Sequence, residues 1–376
     1  MPRNNEGSTI QVLVVDDSAV VRQMMQSVLS QERDMVVTVA ADPIFAMEKM
    51  KQLRPSVIVL DLEMPRMDGL TFLHKIMTED PIPTLICSSV AARGTVAAIQ
   101  ALQGGAVGIV TKPKLGVGKF LHESAVMLID AVRSAAAARV ERRFKVRDQE
   151  RDQERDQERP KPVVPRAPVL FPAASGERLV AIGASTGGTE ALAAILTAMP
   201  RNSPGIVIVQ HMPELFTAAF AKWLDNVCQM DVKEAEDGDV IAPGRVFIAP
   251  GNLHTSVIRR GSHFKIRVTD GPLVSRHRPS VDVLFQSVAR TVGSDALGVI
   301  LTGMGDDGAK GLLEMRAAGA YTIAQDEATC VVFGMPKEAI RRGAVHQTLP
   351  LESISGALIH FGSSDAAIPA TRPIAR

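Results

Sequence analysis

Aromatic side chains are scarce, with one Trp and one Tyr among 376 residues. That leaves little for the stacking platforms on which single-stranded nucleic acids bind. Charge of one sign is lacking too, since 42 basic against 41 acidic residues give a formal net charge of +1. Such a balance argues against nucleic acid or an anionic membrane surface as the main partner. Cysteine is limited to Cys87, Cys228 and Cys330, with no C-x-x-C pair, and no histidines cluster at metal-ligand spacing. Inert, mostly buried thiols in a cytosolic protein are the expectation. No apolar run reaches the length of a bilayer, and Met1 to Ser8 lack the apolar core of a signal peptide. A cytoplasmic protein without membrane insertion is therefore expected, long enough for two domains with separate cores.

From Gln11 to about Arg139, short β-branched runs alternate with amphipathic stretches. Strands are predicted at Gln11–Val15, Met35–Ala40, Val57–Leu60, Thr84–Ser88 and Gly108–Val110. Helices are predicted at Ala19–Leu29, Ile44–Leu53, Leu70–Met77 and Thr95–Leu102, with a last one from about Lys119. Five βα units imply a parallel sheet covered on both faces, with function at the C-terminal strand ends. Polar residues gather there: Asp16 and Asp17 after the first strand, Asp61 after the third, Ser88 ending the fourth, and Lys112 after the fifth. Neighbouring carboxylates repel unless a cation sits among them, and an oxygen-only ligand set suits Mg²⁺. A Lys ammonium and a Ser hydroxyl complete a constellation that fits a phosphoryl group on one carboxylate. Any one of these acids, taken singly, reads more readily as a helix N-cap or a solvated loop residue.

A charged repeat follows, Arg-Asp-Gln-Glu three times over Arg147 to Glu158, then a Pro-rich tract from Pro160 to Pro172. With no apolar stripe it has nothing to dock on a core, and the prolines favour a semi-stiff spacer. The expected division is a first domain at 1–139, a tether at 140–175 and a second domain at 176–376.

The second domain opens on an apolar strand, Leu179–Ile182, a Gly-rich turn, Gly183-Ala184-Ser185-Thr186-Gly187-Gly188, and a helix at Glu190–Leu196. Such a turn leaves backbone N–H groups unpaired at a helix N-terminus. Ser185 sits where a hydroxyl attacks a carbonyl while those groups receive the oxyanion. The letters satisfy G-x-S-x-G, although a phosphate-binding or purely structural turn has the same form. Gly205–Gln210 is a second strand, ending at His211, and Ala296–Leu301 a third, followed by Thr302-Gly303-Met304-Gly305-Asp306-Asp307-Gly308. A helix over Glu214–Val227 is predicted to bury Phe216, Phe220, Trp223 and Leu224. Val232–Ala235, Arg245–Ala249, Thr255–Ile258 and Phe264–Val268 read as an antiparallel excursion. Ser280 reads as the cap of a helix at Val281–Thr291, and Tyr321–Gln325 as a further strand. Ser185, His211 and Asp307 thus each follow a strand end, where an open α/β sheet builds its sites. They supply nucleophile, base and orienting carboxylate. Singly, a strand-end His is more often a hydrogen-bonded structural residue, and Asp306 or Asp307 equally an N-cap. His254 reads as structural, His277 as either structural or functional, and His263, His346 and His360 as surface residues.

The first half resembles the receiver domain of two-component response regulators on Val14-Val15-Asp16-Asp17-Ser18, Leu60-Asp61-Leu62-Glu63-Met64-Pro65, Asp68-Gly69, Ser88 and Thr111-Lys112-Pro113. The resemblance implies a flavodoxin-like sheet and phosphorylation of Asp61 by a histidine kinase. It further implies Mg²⁺ held with Asp16 and Asp17, and Lys112 and Ser88 engaging the phosphoryl group. The second half resembles the catalytic domain of the chemotaxis protein-glutamate methylesterases. The matching motifs are the Ser185 turn, Gln210-His211-Met212-Pro213, Ala249-Pro250-Gly251-Asn252, Arg276-His277-Arg278-Pro279-Ser280-Val281-Asp282 and Leu301 to Gly308. That family implies a doubly wound α/β domain with a cofactor-free Ser185, His211 and Asp307 triad. It implies hydrolysis of glutamyl γ-methyl esters on methyl-accepting chemoreceptors, and in many members receptor glutamine deamidation. Turn N–H groups near Thr186, Gly187 or Met304 are the oxyanion candidates. It also implies that the unphosphorylated receiver restrains access and that phosphorylation relieves this. The competing expectation is a response regulator whose second half binds protein or DNA without chemistry.

Overall fold

The computed structural model describes residues 9–88, 92–112, 118–140 and 178–363. The charged tether therefore lies outside the described residues, save Val140. Among the described residues there are two parallel sheets, each with helices on both faces.

The first sheet is built from β1 (Ile10–Val15), β2 (Met35–Ala40), β3 (Val57–Leu60), β4 (Thr84–Ser88) and β5 (Gly108–Thr111). The helices are α1 (Ala19–Leu29), α2 (Pro43–Gln52), α3 (Gly69–Glu79), α4 (Ala92–Gln103) and α5 (Gly118–Ala136). Strand order is β2-β1-β3-β4-β5, all parallel. The chain reverses its direction of travel across the sheet between β1 and β3, and a crevice opens beyond their C-terminal ends. β3 is buried throughout, as a strand covered on both faces must be. Local caps set the helix starts: Asp42 accepts from Ile44 and Phe45 N–H, and Asp68 from Thr71 N–H.

The second sheet runs β14-β13-β12-β6-β7-β9-β8. Its strands are β6 (Leu179–Ala184), β7 (Gly205–Gln210), β8 (Asp231–Glu234), β9 (Arg245–Ile248), β12 (Ala296–Ile300), β13 (Tyr321–Gln325) and β14 (Gln347–Leu349). A separate hairpin pairs β10 (His254–Arg260) with β11 (His263–Thr269). The helices are α6 (Gly188–Thr197), α7 (Phe216–Val227), α8 (Val281–Thr291), α9 (Ala309–Ala317), α10 (Met335–Arg341) and α11 (Leu351–Ser363). β6 lies at the centre, with β7 on one side and β12 on the other. From β6 the chain builds outward first one way and then the other, so the switch point of this sheet lies at the end of β6.

Two expectations need correction. Of the four strands read as an antiparallel excursion, only β10 and β11 form one, whereas β8 and β9 extend the main sheet in parallel. β8 alternates exposed and buried because it is an edge strand, and period-2 patterning is the same for either direction. The helix at 216–227 buries Phe216, Phe220 and Leu224 as expected, each contributing about 1.5–3 kcal/mol. Trp223 is only half-buried, stacked on Phe220 with centroids 5.9 Å apart. All three thiols are free and buried; burial pushes Cys228 up to about 11, Cys330 up to about 12, and Cys87 up as well. No helix among the described residues is long and apolar enough to cross a membrane.

Candidate functional site

Two polar sites stand at the two switch points. In the first sheet, Asp16 and Asp61 are buried and Asp17 is exposed, and all three offer carboxylate oxygens within 4.8 Å of one another. Lys112 Nζ lies 2.6 Å from Asp61 Oδ2 and 3.0 Å from Asp16 Oδ2. Burial raises the Asp61 carboxyl above its ordinary range, against the pull of Lys112. Asp16 Oδ2 is buried without an aligned hydrogen bond. A hard divalent cation fits such an oxygen cluster, and Mg²⁺ is bound through carboxylates of this kind. Ser88 is buried at the end of β4, two residues beyond the register pair Leu60 and Ile86, with its carbonyl accepting from Lys112 N–H.

In the second sheet, Ala184 and Gln210 form the last register pair of β6 and β7. Ser185 and His211 therefore leave neighbouring strands side by side, and His211 N–H donates to Ala184 O at 3.0 Å. Gln210 Nε2 donates to Ser185 O at 2.9 Å and to His211 O at 3.2 Å, tying the two departures together. Gly303 crosses so close that a Cβ there would sit 2.6 Å from Ser185 Cβ. Gly187, at φ +77°, starts α6 in the left-handed region that glycine adopts without strain.

Asp307 reaches the same rim from the β12 side. Its Oδ2 lies 2.8 Å from His211 Nε2, with the Asp307 side chain fully buried and that of His211 8 % exposed. Three further donors converge on this carboxylate: Ser280 Oγ at 2.7 Å, Val281 N–H at 2.8 Å and Asp282 N–H at 3.0 Å. Asp307 thus occupies the N-terminus of α8, where orphan N–H groups and the helix dipole favour an anion. Burial works to raise its pKa, but His211, Asp282 N–H and Ser280 outweigh that and hold it below the usual carboxylate range. Because an ionised carboxylate only accepts, His211 Nε2 carries the hydrogen and Nδ1 presents its lone pair. Nδ1 is buried and, within the described residues, without a hydrogen-bond partner.

Ser280 is the N-cap residue of α8 as expected, though its hydroxyl bonds no N–H of that helix and turns to Asp307, which accepts from the first-turn N–H groups across the fold. Asp306 is exposed and paired with Arg342 at 2.7 Å. His254 is structural as expected, with Nε2 near Pro272 O at 2.8 Å and Nδ1 accepting from Ser280 N–H at 3.3 Å. His263, His346 and His360 are exposed. His277 joins the site, its ring stacked on that of His211. Gln210 has no role legible in sequence, and only the strand pairing reveals one.

The first domain stands over this rim. Ser134 Oγ on α5 lies 2.5 Å from Thr186 Oγ1, Val107 O accepts from Gly187 N–H at 3.1 Å, and Arg276 pairs with Asp130 at 3.4 Å. Gly187 is therefore a poor oxyanion donor in this arrangement, since its N–H is engaged by the first domain. A cavity of about 520 Å³ remains between them, with Ser185, His211, His277 and Met304 on one wall and Thr111 and Asp130 on another.

Known proteins resemble both halves of the chain. A family model described as CheB methylesterase matches residues 180–358, and one described as response regulator receiver domain matches residues 12–117. A protein-glutamate methylesterase/protein-glutamine glutaminase of Pseudomonas syringae pv. tomato is 54% identical over 94% of this chain and 99% of its own length. One from Dechloromonas aromatica is 55% identical, with the same coverage. Among solved structures, the CheB methylesterase catalytic domain of Thermotoga maritima is 41% identical, covering 50% of this chain and 99% of its own, with a TM-score of 0.48.

Proposed function

Since the chain belongs to the protein-glutamate methylesterase/protein-glutamine glutaminase family, we propose that it hydrolyses glutamyl γ-methyl esters on chemoreceptors by serine acyl transfer, under control of its phosphorylated receiver. His211 Nδ1 takes the Ser185 proton as Oγ attacks the ester carbonyl. Thr186 and Met304 N–H groups are the candidates to receive the oxyanion. The intermediate collapses as His211 returns the proton to the departing methoxide, giving methanol and an acyl-enzyme. Water, activated by the same imidazole, then releases glutamate and restores Ser185. A primary amide follows the same path with ammonia as leaving group, so glutamine deamidation belongs to the same site. The observation that supports this reading most is the 2.8 Å pairing of His211 with a carboxylate that four donors hold ionised. A non-catalytic output half, the competing expectation, leaves that arrangement without a use. The test is methanol release from methyl-esterified receptor with a phosphodonor, set beside ammonia release from receptor carrying glutamine at those sites. A chain inert in both would overturn the proposal.

In the receiver, Asp61 accepts the phosphoryl group from a histidine kinase, and Lys112 pairs with its oxygens. Asp16, Asp17 and Asp61 would hold Mg²⁺, which supplies charge neutralisation for the incoming phosphoryl oxygens. Asp61→Asn is expected to abolish labelling by acetyl phosphate and to leave methanol release at its unphosphorylated level; persistent labelling would reject Asp61 as the acceptor. The contacts of Ser134, Val107 and Asp130 with the esterase rim restrict substrate entry until phosphorylation. A chain lacking residues 1–139 is accordingly expected to release methanol faster than the unphosphorylated full chain. Equal rates would show that the receiver does not restrain the site.

A further inference from the structure

His277 is a polar residue of the esterase rim that the hydrolytic steps leave unused. Its ring lies flat against that of His211, with centroids 3.7 Å apart and planes 11° from parallel. Among the described residues its ring nitrogens make no hydrogen bond, so packing rather than bonding defines its contact with the base. Burial first, and then His211 whenever it is protonated and the Arg276 guanidinium, press its pKa well below the usual imidazole range, against the pull of Asp307. It therefore stays uncharged.

The segment that presents this ring is strained and pinned. Ser275 and Arg276, just before it, sit at φ +50° and +66°, a conformation that costs side-chain-bearing residues free energy and persists only where surroundings enforce it. Val274 and His277 exchange two backbone bonds, at 2.9 and 3.1 Å. Ser275 Oγ donates to Asp282 Oδ2 at 3.0 Å, and Asp282 Oδ1 accepts from Gly311 N–H at 2.7 Å. Asp282 N–H is itself a donor to Asp307. The ring is thus anchored to the same helix N-terminus that holds the carboxylate of the base.

Asp307 fixes His211 at one atom of its edge, which leaves the ring free to rock about that bond. A slab against its face removes the freedom. When His211 carries the Ser185 proton, a charged neighbour would repel the imidazolium, whereas a neutral aromatic face attracts it. Resting on the assignment of His211 as base, we propose that His277 is a positioning residue that locks the plane of the His211 ring toward Ser185 and steadies the imidazolium through its stacked face.

The test compares His277→Ala, His277→Gln and His277→Phe in the full-length chain activated with acetyl phosphate and Mg²⁺. Methanol release from methyl-esterified receptor is read beside the rate of Ser185 labelling by a fluorophosphonate. The Ala and Gln variants are expected to lose about 10- to 100-fold in kcat, the scale of a small misplacement of a reacting group, with KM little changed. The Phe variant, which keeps a flat apolar slab and folds with the volume filled, is expected to recover to within about threefold of wild type. Fluorophosphonate labelling should follow the same order, and it reports on the serine and its base whatever the natural ester is. A Phe variant as slow as Ala, a Gln variant as fast as wild type, or losses confined to KM would each overturn the proposal.

Discussion

Ser185→Ala in the phosphorylated full-length chain is expected to cut methanol release by about 10⁴–10⁶-fold while leaving the melting temperature unchanged. On the proposed mechanism the loss is large because the hydroxyl is the attacking group, and an alanine side chain offers no nucleophile in its place. What remains is the rate supported by substrate binding and the oxyanion donors alone. Stability should not change, because among the described residues the Ser185 hydroxyl makes no hydrogen bond, while the turn is held by backbone bonds: Ser185 N–H to Thr302 O at 3.0 Å and Gly188 N–H to Ser185 O at 2.7 Å. Methanol release at an undiminished rate would remove Ser185 as nucleophile. A collapse in melting temperature would mean that the turn depends on the hydroxyl after all.

Asp307→Asn should be nearly as damaging to the rate, and damaging to the fold as well. In wild type the carboxylate accepts from His211 Nε2, so Nδ1 is the basic nitrogen. An amide in its place can offer N–H to the imidazole, which then turns its lone pair to the amide and presents a hydrogen toward Ser185. The wrong tautomer costs about 10⁴-fold in kcat in other triads. The amide also has one oxygen where the carboxylate has two, while Ser280 Oγ, Val281 N–H and Asp282 N–H all point inward. At least one buried donor is left unmet, which costs about 1–3 kcal/mol. A lowered kcat together with a lowered melting temperature is the expected signature, and either change without the other would contradict the double role assigned to this side chain.

Much of the architecture was legible because local chemistry decides it. β2, β3, β4, β7 and β13 fall where β-branched runs predict them, and α1 and α8 match residue for residue. Ser185, His211 and Asp307 were singled out as candidates by their position after apolar strands, and the sheet order brings them to one rim. The misses are non-local. Strand direction at β8 and β9 depends on which neighbour they meet, and an alternating pattern is silent about that. Ser280 does hold the N-cap position of α8, but the acceptor of the first-turn N–H groups is Asp307, beyond any window that reads Ser280 beside the helix. Gln210 looked like the end of a strand, and its role follows from register with Ala184. The stacking of His277 on His211 joins two loops whose approach no spacing encodes.

The meeting of receiver and esterase includes two main-chain bonds, Gly187 N–H to Val107 O and Arg139 N–H to Val331 O at 2.9 Å. Atoms of the peptide unit are common to every residue type but proline. Ordinary point substitution therefore cannot delete this part of the clasp, and side chains on both faces are free to drift while it persists. Gly187 is where that tolerance ends: a Cβ would lie 2.5 Å from the Cβ of Val331, the other esterase residue of the clasp, so one added carbon would displace the two loops that offer their main chains to Val107 and Arg139.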